Sequence, residues 1–169
     1  MAESRRQRRQ AWLLAALACV LCGAGKVHAA VCAVTTVSLN FGDYDPSVTG
    51  PDDSVGSVTV TCRYVPKGAT QVNYRVTISN GLNGTSPTTR QMGAGSARMG
   101  YNVFADPARS QVWGTGTGGT VIASGTMTIG PGVGNGTRTT THPVYGRIPQ
   151  LLDAVPGTYN DTLLVTLTY

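Results

Sequence analysis

Few side chains in this sequence could carry covalent chemistry. His142 is the one histidine after residue 29, and it stands directly before Pro143. A serine hydrolase needs a histidine base, held by a carboxylate and aimed at a nucleophile. No Gly-x-Ser-x-Gly elbow accompanies His142, so it reads as a loop or edge residue. A glycosidase needs two carboxylates across a cleft, but the aspartates sit mostly in turn sequences, which Asp favours. Asp43, Asp45, Asp52 and Asp53 could together offer oxygens to Ca²⁺; their spacing lacks the order of an EF-hand loop, and they read as turn residues. The Gly-rich run 114–136 contains no lysine and no Gly-Lys-Ser/Thr, so it is not a P-loop. Trp113, Tyr101 and Phe104 could form a platform for stacking sugars, although sandwich core is the simpler reading. No catalytic residue, metal ligand or cofactor is assigned.

Two cysteines carry the remaining chemistry, and the N-terminal segment sets the compartment in which they act. Arg5, Arg6, Arg8 and Arg9 precede an apolar stretch from Ala11 to Gly25, and Val27-His28-Ala29 supplies small residues for cleavage. This pattern predicts a secretory signal peptide over 1–29, cut after Ala29 or, next, after Ala30. The arginine pairs lack the apolar residue a twin-arginine signal needs, and the residues before Cys19 and Cys22 fit a lipobox poorly. Five of the 13 Lys+Arg and one of the 8 acids lie in residues 1–29, which leaves eight bases and seven acids. The basic balance thus belongs to the signal peptide, and nucleic-acid binding is excluded. With Cys19 and Cys22 removed, Cys32 and Cys62 remain in an oxidising compartment, where a disulfide is expected. It would close a loop of about 30 residues and contribute roughly 3–4 kcal/mol in the chain-entropy model.

The elements that must hold these residues are strands. Beyond residue 29 the chain has no Glu, one Lys and all nine prolines, and it is rich in Thr, Val, Gly and Tyr. Alternating runs predict strands over 34–41, 57–62, 71–79 and 99–105, and a short one over 111–113. Further runs cover 121–123 and 126–129, which could pair. Another covers 139–148, where Pro143 predicts an edge strand or two pieces. A final strand spans about 158–169. Turn signals separate them, among them Asp43-Tyr-Asp-Pro46, Asn80-Gly81 and Asp106-Pro107. Seven or eight short strands so spaced predict a single antiparallel sandwich over residues 30–169. In the last strand Leu163, Val165, Leu167 and Tyr169 share one face. A strand so patterned up to the final residue is expected to offer its edge or end to another chain.

Several blocks, in order, resemble the spore coat protein U domain family, to which subunits of archaic chaperone–usher pili belong. They are Leu39-Asn-Phe-Gly-Asp-Tyr-Asp-Pro46 after Cys32, Val58-Thr-Val-Thr-Cys62, Tyr74-Arg-Val-Thr-Ile-Ser79 and Arg90-Gln-Met92. Tyr101-Asn-Val-Phe-Ala-Asp-Pro-Ala-Arg109, Trp113-Gly114, Val144-Tyr-Gly-Arg-Ile-Pro149 and Gly157 to Tyr169 complete the set. The resemblance implies an incomplete immunoglobulin-like antiparallel β-sandwich, completed by a donor strand. It implies a periplasmic chaperone that fills the gap first, an outer-membrane usher, and a neighbouring pilus subunit that later donates the strand. It also implies a disulfide between the first two strands and a chaperone contact at the C-terminal carboxylate. Leu163, Val165, Leu167 and Tyr169 are the expected accepting edge.

One departure from that pattern has consequences. Donating subunits carry a patterned segment before the first cysteine, whereas only Ala30 and Val31 precede Cys32 after cleavage at Ala29. The chain is therefore expected to accept a strand without donating one. The expected role is a secreted structural or adhesive subunit at the tip or distal end of a surface fibre. The competing expectation is a stand-alone secreted coat or glycan-binding sandwich.

Overall fold

The computed structural model describes residues 30–66, 70–150 and 152–169. The expected signal peptide lies outside the described residues. Among the described residues, nine strands run in the order β1 (Val31–Val37), β2 (Asp52–Arg63), β3 (Gln71–Ile78), β4 (Gln91–Ala94), β5 (Ala97–Gly100), β6 (Asn102–Phe104), β7 (Ala123–Thr128), β8 (Thr137–Ile148) and β9 (Val165–Thr168). One sheet has the order β1-β2-β8-β6, a second β7-β3-β9, and β4 and β5 form a hairpin. All strand pairs are antiparallel.

The period-two patterns put apolar side chains between the sheets. Val58, Val60 and Cys62 of β2 face Val72, Tyr74, Val76 and Ile78 of β3 in one buried cluster. The intervening Thr59 and Thr61 turn outward, where their hydroxyls bond those of Thr141 and Thr139 on β8 at 3.0 and 3.1 Å. Cys32 and Cys62 are register partners and form a disulfide across a sequence separation of 30 residues. It fastens β1, an edge strand, to the middle of its sheet.

Several boundaries differ from the sequence reading, each for a local reason. The strand expected over 34–41 stops at Val37, because Leu39 and Phe41 turn inward over the inner face of their own sheet. Two glycines admit them. A Cβ on Gly146 would stand 2.7 Å from Phe41 and 2.9 Å from Leu39, and one on Gly56 would overlap the Val37 carbonyl. The run over 99–105 is two strands, β5 and β6, which belong to different sheets and meet at Tyr101. Residues 123–128 form one strand, which pairs with β3 rather than within 121–129. β8 is continuous through Pro143; β6 reaches only Tyr145–Arg147, so beside Pro143 the strand has β2 on one side and can dispense with a donor on the other. His142 is not in a loop: it lies half-buried within β8. The last strand is short, Val165–Thr168, because residues 158–164 are held by side chains and a single bridge instead of a ladder.

Candidate functional site: an open groove between the sheets

On the side where β1 and β9 lie, the two sheets do not close. A groove of about 1090 Å³ runs between residues 34–46 and residues 154–165. Its base includes Val58, Val144 and Ile148 from one sheet and Ile78 from the other, with Met92, Met99 and Tyr101 from the hairpin region. These residues are apolar or amphipathic and belong to, or pack on, the main core.

Both walls expose main chain. Among the described residues, segment 38–44 forms no hydrogen bond between main-chain groups. Side chains tie it down instead: Asn40 N–H donates to Ser54 Oγ at 3.0 Å, and that hydroxyl donates to Asn40 O at 2.7 Å, while the Tyr44 hydroxyl donates to Pro149 O at 3.0 Å and accepts from Leu152 N–H at 2.8 Å. On the opposite wall β9 pairs with β3 on one side and with no described strand on the other. The residues before β9 are pinned from behind. Gly93 and Asn160 exchange N–H···O bonds of 2.8 and 3.0 Å, and Ser79 N–H donates to Leu164 O at 3.0 Å. Two unpaired main-chain rows thus border an apolar trough, with room for an extended chain between them.

Of the expected edge residues, Leu163 and Val165 line the groove. Leu167 is half-buried against the core in β9, outside the groove lining, and Tyr169 is exposed beyond the strand. The alternation across Leu163, Val165 and Leu167 is as read from the sequence.

Charge in the groove is one-sided. Among the described residues, Asp43 and Asp161 line it, and no Lys or Arg does. The Tyr101 hydroxyl donates to Asp161 Oδ2 at 2.7 Å, while Asp161 Oδ1 accepts from Leu82 N–H at 2.8 Å and Thr162 N–H at 2.9 Å. Burial, and then the bond to Asp161, push the Tyr101 hydroxyl well above the ordinary tyrosine range, so it remains a donor.

Beneath the groove lies an arginine that the sequence did not single out. Arg90 is 1% exposed, and its guanidinium donates to the carbonyls of Ile78, Ser79, Pro87 and Trp113 and to Asn102 Oδ1. Burial pulls its pKa down to about 10, which leaves it charged at neutral pH. It gathers the end of β3, the start of β6 and the segment at Trp113 into one corner. Arg90-Gln-Met92 contributed to the family resemblance, but no periodicity marks a buried arginine.

The other residues considered for chemistry have structural posts. Trp113 is 1% exposed and donates from Nε1 to Val76 O at 3.0 Å, so no sugar can stack on it. Asp53 takes a two-pronged bond from Arg147, its register partner, at 2.7 and 2.8 Å, and Arg109 adds a contact at 3.2 Å. The bonded Arg147 holds Asp53 below the usual carboxylate range. Asp45 binds Ser47 within its own turn.

A profile of the Spore Coat Protein U domain matches residues 18–166. The chain belongs to this family. A Spore Coat Protein U domain relative, "Protein U" of Myxococcus xanthus, is 30% identical over 138 residues, spanning 78% of this chain and 72% of its own. Among solved structures, this chain aligns with a chain from the CsuC–CsuE chaperone–tip adhesion subunit pre-assembly complex of the archaic chaperone–usher Csu pili of Acinetobacter baumannii. That alignment has a TM-score of 0.52 at 22% identity and covers 83% of this chain. It spans 40% of the solved chain. The family and the all-β antiparallel fold read from the sequence are both borne out.

Proposed function

We propose that this Spore Coat Protein U domain protein is a structural or adhesive subunit of a surface fibre assembled by a periplasmic chaperone and an outer-membrane usher. The groove accepts one extended strand, from the chaperone first and from a neighbouring subunit later. The observation that carries this reading is the pair of unpaired main-chain rows facing each other across an apolar trough. A strand laid there would satisfy both rows while its alternate side chains cover Met92, Met99 and Ile148. At about 25 cal/mol per Å2, covering a few such side chains contributes several kcal/mol. The solved chaperone–subunit complex with this fold supports the same partners. Leu163 and Val165 are the accepting edge, with Leu167 and Tyr169 continuing it towards a chaperone contact.

Residues 1–29 direct export to the periplasm. With cleavage after Ala29, Val31 is already used in pairing with Arg63, so Ala30 alone would precede the paired strand, too short a segment to donate. The subunit then sits at the tip or distal end of its fibre. Detection of the mature N-terminus by mass spectrometry well upstream of Ala24 would remove the distal assignment.

The central test uses a synthetic peptide of about ten residues alternating Val with Thr, and the same peptide with a central Pro. The alternating peptide should raise the melting temperature of the purified protein and improve its solubility; the Pro peptide should not. A protein that is stable and monomeric alone, and unchanged by the alternating peptide, would instead be a free-standing coat protein.

A further inference from the structure

Tyr101 touches both walls of the groove. It stands where the chain leaves the β4–β5 hairpin and enters the four-stranded sheet, with its N–H donating to Arg90 O at 3.1 Å. Its ring meets Phe41 edge-on, with centroids 6.3 Å apart at 75°. Its hydroxyl reaches Asp161 on the opposite wall. Phe41 is backed by Gly146, where there is no room even for a methyl group, so it cannot retreat towards the sheet. Asp161 is backed by two main-chain N–H groups, Leu82 and Thr162. A continuous line of contacts therefore crosses the base of the trough, from the β8 backbone through Phe41, Tyr101 and Asp161 to the loop at Leu82.

We propose that Tyr101 is a positioning residue that sets the width of the empty groove before a strand enters. This rests on the strand-accepting reading above and adds how the site is kept ready. A trough with wet apolar walls gains by closing on itself, and a collapsed groove must reopen before it can bind. The fraction of molecules in the open form multiplies the observed rate and affinity. Tyr101 opposes collapse from one side by its ring and from the other by its hydroxyl, whose bond to a carboxylate is of the stronger, charge-assisted kind. Once a strand is seated, the strand itself separates the walls, and the Tyr101–Asp161 bond is no longer needed for that purpose.

The experiment compares the wild-type protein with Tyr101→Phe, Asp161→Asn and Asp53→Asn, the last breaking an ion pair on the outer face. Association and dissociation of the alternating Val/Thr peptide are measured, together with amide exchange over residues 158–164 with and without peptide. Tyr101→Phe should slow association about tenfold, the scale of one charge-assisted hydrogen bond, and change dissociation by less than about twofold. Asp161→Asn should act in the same direction. Exchange over 158–164 should rise in the empty form of both and return to the wild-type pattern with peptide bound. Asp53→Asn should lower the melting temperature and leave association unchanged. Unchanged association in both groove variants, or equal slowing by Asp53→Asn, overturns the proposal. If the wild-type protein takes up no peptide, the strand-accepting reading fails by itself. The strut is then judged by exchange in the empty form, and wild-type exchange in both groove variants rejects it.

Discussion

The same two sheets meet in opposite ways in two regions of the molecule. Around Trp113 they are in direct contact. The Trp113 ring is edge-on to His142 of β8 at 6.1 Å, and its Nε1 binds the Val76 carbonyl of β3. Tyr74 of β3 bonds His142 Nε2 at 2.9 Å, so aromatic rings fill the gap between the sheets and bond to groups within it. Between β1 and β9 the gap is comparable in chemistry, with Phe41, Tyr101 and two methionines, yet no strand fills it. The difference lies in the supply of main chain. The first region receives residues 112–113, whose N–H groups and carbonyls bond Val103, Val121 and Arg90. The second receives segment 38–44, which lies along one wall without filling the trough. A core with every strand supplied locks; one lacking a strand has apolar lining and idle hydrogen-bonding groups in the same place, which are the requirements for taking a strand from outside.

That comparison is broken most forcefully from the closed side. Trp113→Ala should cost about 3–5 kcal/mol, as for other buried aromatics truncated to alanine. Small domains hold only about 5–15 kcal/mol in total, and this one already has an open flank. Expression with and without a periplasmic chaperone measures the outcome. The variant should be insoluble alone and only partly rescued by a strand partner. Full stability of Trp113→Ala would mean that the closed region does not hold the sheets together.

The disulfide tests the open side with a somewhat smaller effect. Cys32→Ser with Cys62→Ser should lose about 3–4 kcal/mol by loop entropy. The wall consequence is more specific: β1 leads directly into segment 38–44, so freeing β1 lets that wall move. Guanidinium unfolding should show the stability loss, and the alternating peptide should recover part of it by pinning the wall again. Loss of stability with no change in peptide binding would separate the wall from the disulfide.

The legible parts of this fold were those that period two can report. Val72, Tyr74, Val76 and Ile78 alternate in the sequence and are all buried. Cys32 and Cys62 pair, as the sequence reading of an oxidising compartment expected. Period two says which side chains go in, but not which main chain they pack against. Val37, Leu39 and Phe41 therefore read as one strand, although the chain bends inward after Val37 where Gly56 and Gly146 make room. Tyr101 read as an inner residue of one strand, although it joins two sheets. Arg90 and Asp161 stood in resemblance blocks but no periodicity marked their roles, because these depend on partners scattered over the chain: residues 78, 79, 87, 102 and 113 for Arg90, and Leu82 and Tyr101 for Asp161. The accepting edge was expected at Leu163, Val165, Leu167 and Tyr169, of which the first two line the groove, and the other wall came from residues assigned to a regular strand.

The smallest expected effect is a pH dependence confined to the closed region. His142 is half-buried between Tyr74 and Trp113, and burial lowers its pKa from the ordinary histidine value of 6.5. Its neutral Nε2 can accept the Tyr74 hydroxyl proton; a protonated ring would have to reverse that bond and carry its charge half-buried against aromatic surface. The unfolded chain therefore takes up a proton at a higher pH than the folded one. Stability should be full above the ordinary value, fall as pH drops below it, and level off once the folded form is protonated too. His142→Gln keeps a polar group against Tyr74 but cannot titrate, so it should flatten this part of the stability profile in urea melts across pH 5 to 8. Peptide association at the groove should keep the same pH dependence in both proteins, because no bond from His142 reaches either wall. A groove response that disappeared with His142→Gln would show that the closed and open regions are coupled through the core, and that the two sides of the sandwich do not act independently.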